Sequence, residues 1–208
     1  MQKITENNQV NLIGKIASVP IFSHEVFGEK FYLVDLIVFR LSCAGDTIPL
    51  LLSERLITIE SLFIGDTYSI IGDFRSYNKF SEDGRNHLEL SAFVKSIEFI
   101  DETEHVNQIS IRGFICKPPI YRKTPKGREI TDMLVAVNGP YGRSDYIPCI
   151  AWSRNAIFMA NAEVGTKVEI TGRIQSREYS KKISDEDFIV KTAYEISISF
   201  IKVVEDEK

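Results

Sequence analysis

The central feature of the chain is residues 145–179, which read DYIPCIAWSRNAIFMANAEVGTKVEITGRIQSREY. An apolar segment that carries Tyr146 and ends in Trp152 predicts a strand, and the residues after it predict a short helix. Beyond a Val-Gly turn, a second predicted strand ends in residues that include Arg177 and Tyr179. Aromatic and arginine side chains on neighbouring strands are what a sheet needs to stack nucleic-acid bases and neutralise phosphates.

The chain also contains an internal repeat with an offset of 99 to 100 residues. Residues 8–16 (NQVNLIGKI) match residues 107–115 (NQISIRGFI). Residues 46–49 (DTIP) match residues 145–148 (DYIP), and one inserted residue then brings the later glycines into register. Matches in this order predict two copies of one domain of about 100 residues.

Both copies have the pattern of short strands with one helix. The first copy, placed at residues 1–102, predicts strands at 10–16, 31–41, 47–52, 67–75 and 87–99, with a helix at 53–63. The second copy, placed at residues 103–208, predicts strands at 108–116, 130–138, 146–152, 167–175 and 189–203, with a helix at 153–163. The strand at 31–41 is so continuously apolar that we expect burial on both of its faces.

Five strands with a helix between the third and the fourth is the order of the OB-fold, a small Greek-key barrel. Glycines at positions 14, 72, 113 and 172 suit the sharp bends of barrel strands, although a simple bulge would also use them. The predicted fold is therefore all-β: two tandem five-stranded OB-fold barrels, each with one short helix between strands 3 and 4.

Charge is distributed unevenly between the copies. Residues 1–106 hold 9 Lys/Arg and 16 Asp/Glu, a net charge of −7, whereas residues 107–182 hold 13 and 6, a net charge of +7. The remaining residues 183–208 carry a net charge of −4. Such asymmetry suggests a nucleic-acid-binding half beside a half with another role, the alternative being an uneven distribution by chance.

Several classes of protein are disfavoured by composition. No apolar run reaches the roughly 18 residues that a membrane span requires, and the first residues lack the apolar core of a secretory signal. We therefore expect a cytoplasmic protein with reduced thiols. The three cysteines lack CxxC spacing and the three histidines lie far from any cysteine pair, so we expect no metal site and no cofactor.

Six short motifs follow one another through the second copy. They are residues 107–113 (NQISIRG), 118–119 (PP), 124–127 (TPKG), 145–152 (DYIPCIAW), 164–168 (VGTKV) and 172–179 (GRIQSREY). In this order, over about 95 residues, they resemble the bacterial single-stranded DNA-binding protein domain. The first copy retains the strand glycines and an Ile-Pro pair but little else of the pattern.

The resemblance implies that aromatic side chains on the sheet and its loops stack on bases. By position, the stacking residues are Tyr146, Trp152, Tyr179 and Tyr141. Because strand residues alternate between faces, Tyr146 and Trp152 share one face of their strand. From spacing alone that face is either a base-stacking surface or part of the barrel core, and the resemblance favours base contact.

Basic residues surround this predicted surface and are expected to contact phosphates. They lie on the strands and in the loops that rim the groove of an OB barrel. The predicted phosphate-binding residues are Arg112, Arg122, Lys123, Lys126, Arg128, Arg143, Arg173, Arg177, Lys181 and Lys182. For any one lysine among them, a solvated surface charge is the favoured interpretation, so the argument rests on the set.

The first copy lacks most of these side chains. Thr47 occupies the position of Tyr146, and Trp152 aligns near Leu52 or Ser53. We expect this acidic copy to bind a polyanion weakly. Its extra apolar residues, Leu50, Leu51, Leu52, Phe22 and Phe27, suit either a protein interface or the barrel core.

The first hypothesis is sequence-nonspecific binding and protection of single-stranded DNA in replication, recombination or repair, mainly through the second copy. Members of the resembled family assemble into sets of four domains, which implies a homodimer supplying four OB-folds, associated with the bacterial nucleoid and not with a membrane. Members also often end in an acidic tail. Since the chain stops at residues 203–208 (VVEDEK), directly after the last predicted strand, we expect no such tail.

Two other classes of protein are alternatives to this hypothesis. A protein-interaction adaptor, such as a replication-restart or mobile-element accessory factor, would use its barrels mainly to contact proteins, with nucleic acid secondary. The acidic first copy favours the adaptor and the basic second copy opposes it. An enzyme is disfavoured because a nuclease needs clustered carboxylates for a metal, and the sequence shows no paired carboxylates and no nucleophile with a histidine partner.

Overall fold

The computed structural model describes residues 7–80, 86–101, 104–139, 142–182 and 188–204. The first copy forms strands β1 (Asn8–Ile16), β2 (Ile21–Val26), β3 (Glu29–Phe39), β4 (Gly45–Ser53), β5 (Thr67–Phe80) and β6 (Asn86–Phe99). The second copy forms strands β7 (Val106–Ile115), β8 (Ile120–Lys123), β9 (Glu129–Asn138), β10 (Ser144–Trp152), β11 (Lys167–Lys182) and β12 (Phe188–Val203). The predicted tandem all-β fold is confirmed.

All twelve strands belong to one continuous sheet, in the order β2-β3-β4-β6-β5-β1-β7-β11-β12-β10-β9-β8. Additional pairings of β1 with β3 and of β7 with β9 close each half into a barrel. Within each barrel only the contact of the third and fifth barrel strands, β4 with β6 and β10 with β12, is parallel. This is the closed Greek-key arrangement of the OB-fold.

Each copy has one strand more than the sequence pattern predicted. The additional strands β2 and β8 form hairpins with β3 and β9 inside the predicted loop between barrel strands 1 and 2. All residues of both strands are exposed. A half-buried strand is recognised in a sequence by alternating apolar and polar residues. Strands with no buried face need no such alternation, so β2 and β8 were not predicted.

The helices are shorter than predicted. The second copy has α1 (Arg154–Met159), and the first has only a single 3-10 turn at Ile59–Ser61. Ser53, the first residue of the helix predicted at 53–63, is the last residue of β4, and its hydroxyl donates to Glu29. Neither helix has a side-chain cap, so little stabilises the additional turns that the pattern predicted.

The expectation that β3 is buried on both faces was wrong. Val34, Leu36 and Val38 are buried, whereas the residues between them are only half-buried. The apolar residues at those alternate positions lie on the outer surface of the barrel, where Phe31 contacts Phe93 with ring centroids 6.1 Å apart. The continuous apolar run therefore reflects an outer aromatic cluster and not a second buried face.

Each barrel core is filled by the inward-facing aliphatic residues of its own strands. In the first copy these include Leu12, Leu36, Leu50 and Leu52, which are fully buried. The three-leucine run of β4 thus contributes Leu50 and Leu52 to the core, with Leu51 half-buried. Removing these side chains from water stabilises each barrel by roughly 1.5–3 kcal/mol per residue.

Antiparallel pairing of β1 with β7 joins the two copies, from Asn8 opposite Ile111 to Ile13 opposite Val106.

No helix in the described part of the chain is long and apolar enough to cross a membrane. The described residues also include no group of three His, Cys, Asp or Glu that could hold a metal ion.

Candidate nucleic-acid interface

An open groove of about 480 Å³ lies where the second copy meets the edge of the first. Its lining comes mainly from β10, β11 and β12 and is rich in guanidinium groups. The lining residues are Arg40, Arg128, Trp152, Arg173, Gln175, Ser176, Arg177 and Ser197. We call this feature the Trp152 groove; among the residues that the structure describes, its lining contains four arginines and no carboxylate.

Strand β10 determines which way its aromatic residues face. Ile147, Cys149 and Ala151 are buried in the barrel core, whereas Tyr146 is 43% exposed and Trp152 is half-buried. The face shared by these two aromatics is therefore the outer one. The indole Nε1 of Trp152 donates to the hydroxyl of Ser197 at 3.1 Å, which orients the ring beside the groove.

Arg173 is held in the groove by both copies. Its Nη1 donates to the carboxylate of Asp46 at 3.0 Å, and its Nη2 donates to Gln175 at 3.2 Å. Asp46 belongs to β4 of the first copy and is fully buried. Burial, together with the nearby charge of Arg40, lowers the pKa of Arg173. The smaller contribution, from Arg40, arises because two like charges lie close together.

Arg177 and Arg128 are more exposed members of the groove. The Arg177 side chain is 57% exposed, and its Nε lies 3.9 Å from the carboxylate of Glu195. The same carboxylate of Glu195 accepts a 2.6 Å hydrogen bond from Gln175, so it interacts with both Gln175 and Arg177. Arg128 follows the turn that precedes β9, where its backbone N–H donates to the Thr124 hydroxyl at 3.1 Å. Such exposed guanidinium groups remain accessible to a phosphate.

Other predicted phosphate-binding residues lie outside the groove lining and are paired with carboxylates. Arg112 pairs with Glu169, Arg122 with Asp132 at 2.6 Å, and Lys123 with Glu129 at 3.7 Å. The pairs of Arg122 and Lys123 form a ladder across the β8–β9 hairpin, and exposed pairs of this kind are weak. A phosphate would have to compete with these carboxylates.

The remaining predicted residues differ in how far the structure describes them. Lys126 is exposed in the turn between β8 and β9, and Arg143 is exposed directly before β10. Lys181 and Lys182 lie at the end of β11, but their side chains are outside the described structure. Tyr141 also lies outside the described residues.

Tyr179 lies in a different groove from Trp152. This second groove, of about 480 Å³, is lined by residues of both copies, among them Leu33, Pro49, Tyr77, Leu88, Pro148 and Tyr179. Tyr179 is 40% exposed there. We call this feature the junction groove. Of the predicted stacking residues that the structure describes, Trp152 lines the arginine-rich groove, Tyr179 lines the junction groove and Tyr146 lines neither.

Strand register shows what the first copy has at each groove position. Ser53 pairs with Phe31 as Trp152 pairs with Ile130, so Ser53 is the counterpart of Trp152. Asp73 pairs with Phe93 as Arg173 pairs with Ser197. By the same register, Tyr77 is the counterpart of Arg177. The repeat offset makes Glu29 of the first copy the counterpart of Arg128. It makes Gly139 of the second copy the counterpart of Arg40. None of the four arginines has a counterpart arginine.

Two charged residues that were not predicted from the sequence are Arg40, which lines the groove, and Asp46, which holds two of the groove's arginines from behind. The polar lining residues Gln175, Ser176 and Ser197 were not predicted either. Asp46 was visible as one half of the repeated Asp-x-Ile-Pro motif, and its counterpart Asp145 makes the equivalent contact to Ser76. That repetition was a usable signal. Arg40 gave none, because it belongs to the acidic copy and its counterpart is a glycine.

The fold and the groove together define a class of protein. A tandem OB-fold barrel that presents a partly exposed tryptophan among arginines has the features of proteins that bind nucleic-acid strands. A sequence model described as "Single-strand binding protein family" matches residues 106–204. These residues comprise β7–β12, the copy that supplies most of the groove.

Curated relatives match the same part of the chain. "Single-stranded DNA-binding protein 3" of Streptococcus agalactiae serotype V is 30% identical over 97 residues, which cover 43% of this chain and 70% of that protein. "Single-stranded DNA-binding protein" of Halalkalibacterium halodurans is 28% identical over 104 residues, which cover 47% of this chain and 61% of that protein. The chain belongs to the single-strand binding protein family.

The shared part is limited in length. The chain spans 50–61% of the first relatives' own lengths. Over nearly its whole length, the fold is similar to that of the wild-type single-stranded DNA binding protein from Thermus aquaticus, with a TM-score of 0.75. That comparison covers 97% of this chain and 94% of the other at 18% sequence identity, and it supports the tandem fold alone.

Proposed function

We propose that this chain binds single-stranded DNA without sequence preference and protects it during replication, recombination or repair. The observation that carries the proposal is the Trp152 groove, where a partly exposed indole lies among four arginines. Family membership and the names of the curated relatives support the same substrate. We infer binding without catalysis, cofactor or metal.

The physical basis is the combination of stacking with charge. The flat face of Trp152 can stack on any base, which contributes roughly 1–3 kcal/mol and does not depend on sequence. The guanidinium groups of the groove neutralise phosphates and release counterions, which adds a salt-dependent contribution. Neither contribution reads base edges, so the predicted binding is sequence-tolerant.

A fluorescence titration with oligo-dT tests the proposal. Trp152 is the only tryptophan of the chain, so stacking of a base on its ring should quench the intrinsic tryptophan fluorescence. With about 4–6 phosphate contacts, the logarithm of the binding constant should fall with the logarithm of salt concentration at a slope of about −3 to −4. Absence of both quenching and retention on single-stranded DNA would overturn the proposal in favour of a protein-interaction adaptor.

Substitution of the tryptophan separates stacking from charge. Trp152→Ala should weaken binding of a labelled oligonucleotide by roughly 1–3 kcal/mol, read by fluorescence anisotropy, with the salt slope unchanged. Trp152→Phe is the matched control, since it keeps an aromatic face and should retain most of the affinity. Equal affinity of the alanine variant and the wild type would exclude Trp152 as a stacking residue.

We further propose the division of the chain into residues 1–102 and 103–208, with the second copy as the main binding unit. Tyr146, Tyr179 and Tyr141, with the basic residues outside the groove, stay predicted contacts. We propose a homodimer that supplies four OB-folds and acts on the bacterial nucleoid in the cytoplasm. The apolar residues that the first copy supplies to the junction groove, Leu33, Pro49 and Leu88, support association with a second chain that leaves Tyr179 of the second copy open to a base.

A further inference from the structure

Arg40 belongs to the acidic first copy, yet it lines the groove that the second copy forms. It follows β3 directly and begins a tight turn. Its N–H donates to the carbonyl of Ala44 at 2.8 Å, and its carbonyl accepts from the N–H of Cys43 at 2.9 Å. Cys43 has a φ of 63°, in the left-handed region, which reverses the chain over few residues. The turn thereby holds the backbone of Arg40 at the edge of the groove.

The buried carboxylate of Asp46 fixes the Arg40 side chain. The Arg40 Nε donates to Asp46 at 2.7 Å and its Nη2 donates to the second carboxylate oxygen. The same carboxylate also accepts from Arg173 and from the backbone N–H of Ser176 at 3.1 Å. Asp46 therefore aligns one guanidinium from each copy along the same side of the groove.

The cluster of Arg40, Arg173 and Asp46 carries a net positive charge. One carboxylate faces two guanidinium groups, and the side chains of Arg40 and Arg173 are 33% and 32% exposed. A guanidinium has five N–H donors, of which Arg40 uses two on Asp46 in the described structure. The remaining donors can reach an anion in the groove, and an anion would relieve the repulsion between the two cations.

We propose that Arg40 binds a phosphate of the nucleic-acid backbone in the Trp152 groove, so that both copies build one composite site. This inference rests on the proposed function, because it assigns a further contact to the same site. It also gives the first copy a role in binding despite its net charge of −7 over residues 1–106.

The counterpart surface of the first copy explains why the composite site occurs once in the chain. At the position equivalent to Arg40 the second copy has Gly139, which offers no side chain to the groove of its neighbour. Asp73 stands in place of Arg173 and pairs with Lys95 at 2.7 Å. The cross-copy arginine therefore completes only the groove that contains Trp152.

The test is a salt titration of binding with the full-length chain, using fluorescein-labelled oligo-dT and anisotropy. Arg40→Gln should weaken binding about tenfold at low salt and lower the magnitude of the salt slope by about 0.7, the value expected for the loss of one phosphate contact. Arg55→Gln is the matched control. Arg55 is an exposed arginine of the first copy that pairs with Glu29 and does not line the groove, so its loss should leave the slope unchanged.

A lysine variant distinguishes phosphate contact from a structural role. Arg40→Lys loses the planar, two-pronged contact with Asp46 but keeps the positive charge. Because the charge is kept, the salt slope of this variant should stay close to that of the wild type. If wild-type protein binds and Arg40→Gln binds with an unchanged slope, the inference is wrong and the proposed function stands. Equal losses of affinity in Arg40→Gln and Arg40→Lys, both with the wild-type slope, would likewise assign Arg40 a structural role. If the wild type does not bind the oligonucleotide at all, both the proposed function and the role of Arg40 are wrong.

Discussion

Gly172 shows how one residue position shapes the binding surface. The pairing of β11 with β12 shifts by one residue between Thr171 and Gly172, which marks a β-bulge. A β-carbon at Gly172 would lie 2.3 Å from the carbonyl oxygen of Ser197 on the neighbouring strand. Only glycine permits this approach. The extra residue of the bulge is Ser199 of β12, because Thr171 pairs with Phe200 and Gly172 pairs with Ile198. The glycine therefore lets β12 lie close to β11 directly before Arg173, whose partner Ser197 also lines the groove.

Gly172→Ala should destabilise the protein by about 1–3 kcal/mol, because the new methyl group meets backbone atoms that cannot move aside without breaking strand pairing. Urea unfolding followed by circular dichroism measures this as a lower midpoint. Thr171→Val is the matched control at the adjacent exposed position and should change stability by less than about 0.5 kcal/mol. A Gly172→Ala midpoint equal to that of the wild type would show that β11 can shift at the bulge.

At the scale of single elements, the β2–β3 hairpin of the first copy is an exposed edge of the sheet. Its two-residue turn consists of Phe27 and Gly28, with φ values of 49° and 79°. Positive φ at both central positions is typical of a type I′ turn, for which Asn-Gly is the preferred sequence. The side chain of Phe27 is fully exposed, so it gains no burial in this chain to offset its unfavourable backbone conformation.

Phe27→Asn should raise the thermal midpoint by about 1–3 °C, since asparagine tolerates the left-handed conformation better than phenylalanine does. Differential scanning calorimetry measures the shift. Phe27→Ala serves as control, because it removes the exposed ring but keeps a residue that disfavours positive φ. A lower midpoint for Phe27→Asn than for Phe27→Ala would contradict the assignment of strain to this turn.

At the scale of the whole molecule, two reciprocal contacts join the copies in addition to the β1–β7 pairing. Asp46 accepts from the backbone N–H of Ser176 at 3.1 Å, and Asp145 accepts from that of Ser76 at 2.8 Å. Asp145 also pairs with Arg75 at 2.7 Å. Because both carboxylates are buried and satisfied across the junction, the two barrels are held in one relative orientation. The composite groove depends on that orientation.

The proposed homodimer makes a prediction about the junction groove. Light scattering should give a mass of twice the 23.7 kDa of one chain. Leu88→Glu introduces a charge into the apolar lining and should shift the mass towards that of a single chain. Val190→Glu is the matched control, at an exposed apolar residue that does not line this groove, and should leave the mass unchanged. A single-chain mass for the wild type at all concentrations would exclude the homodimer.

The repeat, the order of the barrel strands and the arginine-rich character of the second copy could all be predicted from the sequence. These features are readable because alternation along a strand and matches at a constant offset are local properties of the chain. The sequence did not reveal β2 and β8, whose exposed residues lack alternation. The helices predicted from the sequence were also too long, because the sequence does not show that the side-chain caps are missing.

Which side chains contact one another could not be predicted from the sequence and depends on the folded chain. The contact of Asp46 with Arg173 joins residues 127 positions apart, and Arg40 reaches the groove through that same carboxylate. The pairing of β1 with β7 brings these residues together, and strand pairing between distant segments is a property of the folded chain that local periodicity does not encode. The aromatic and arginine residues of 145–179 were visible in the sequence, but the copy that completes their groove was not.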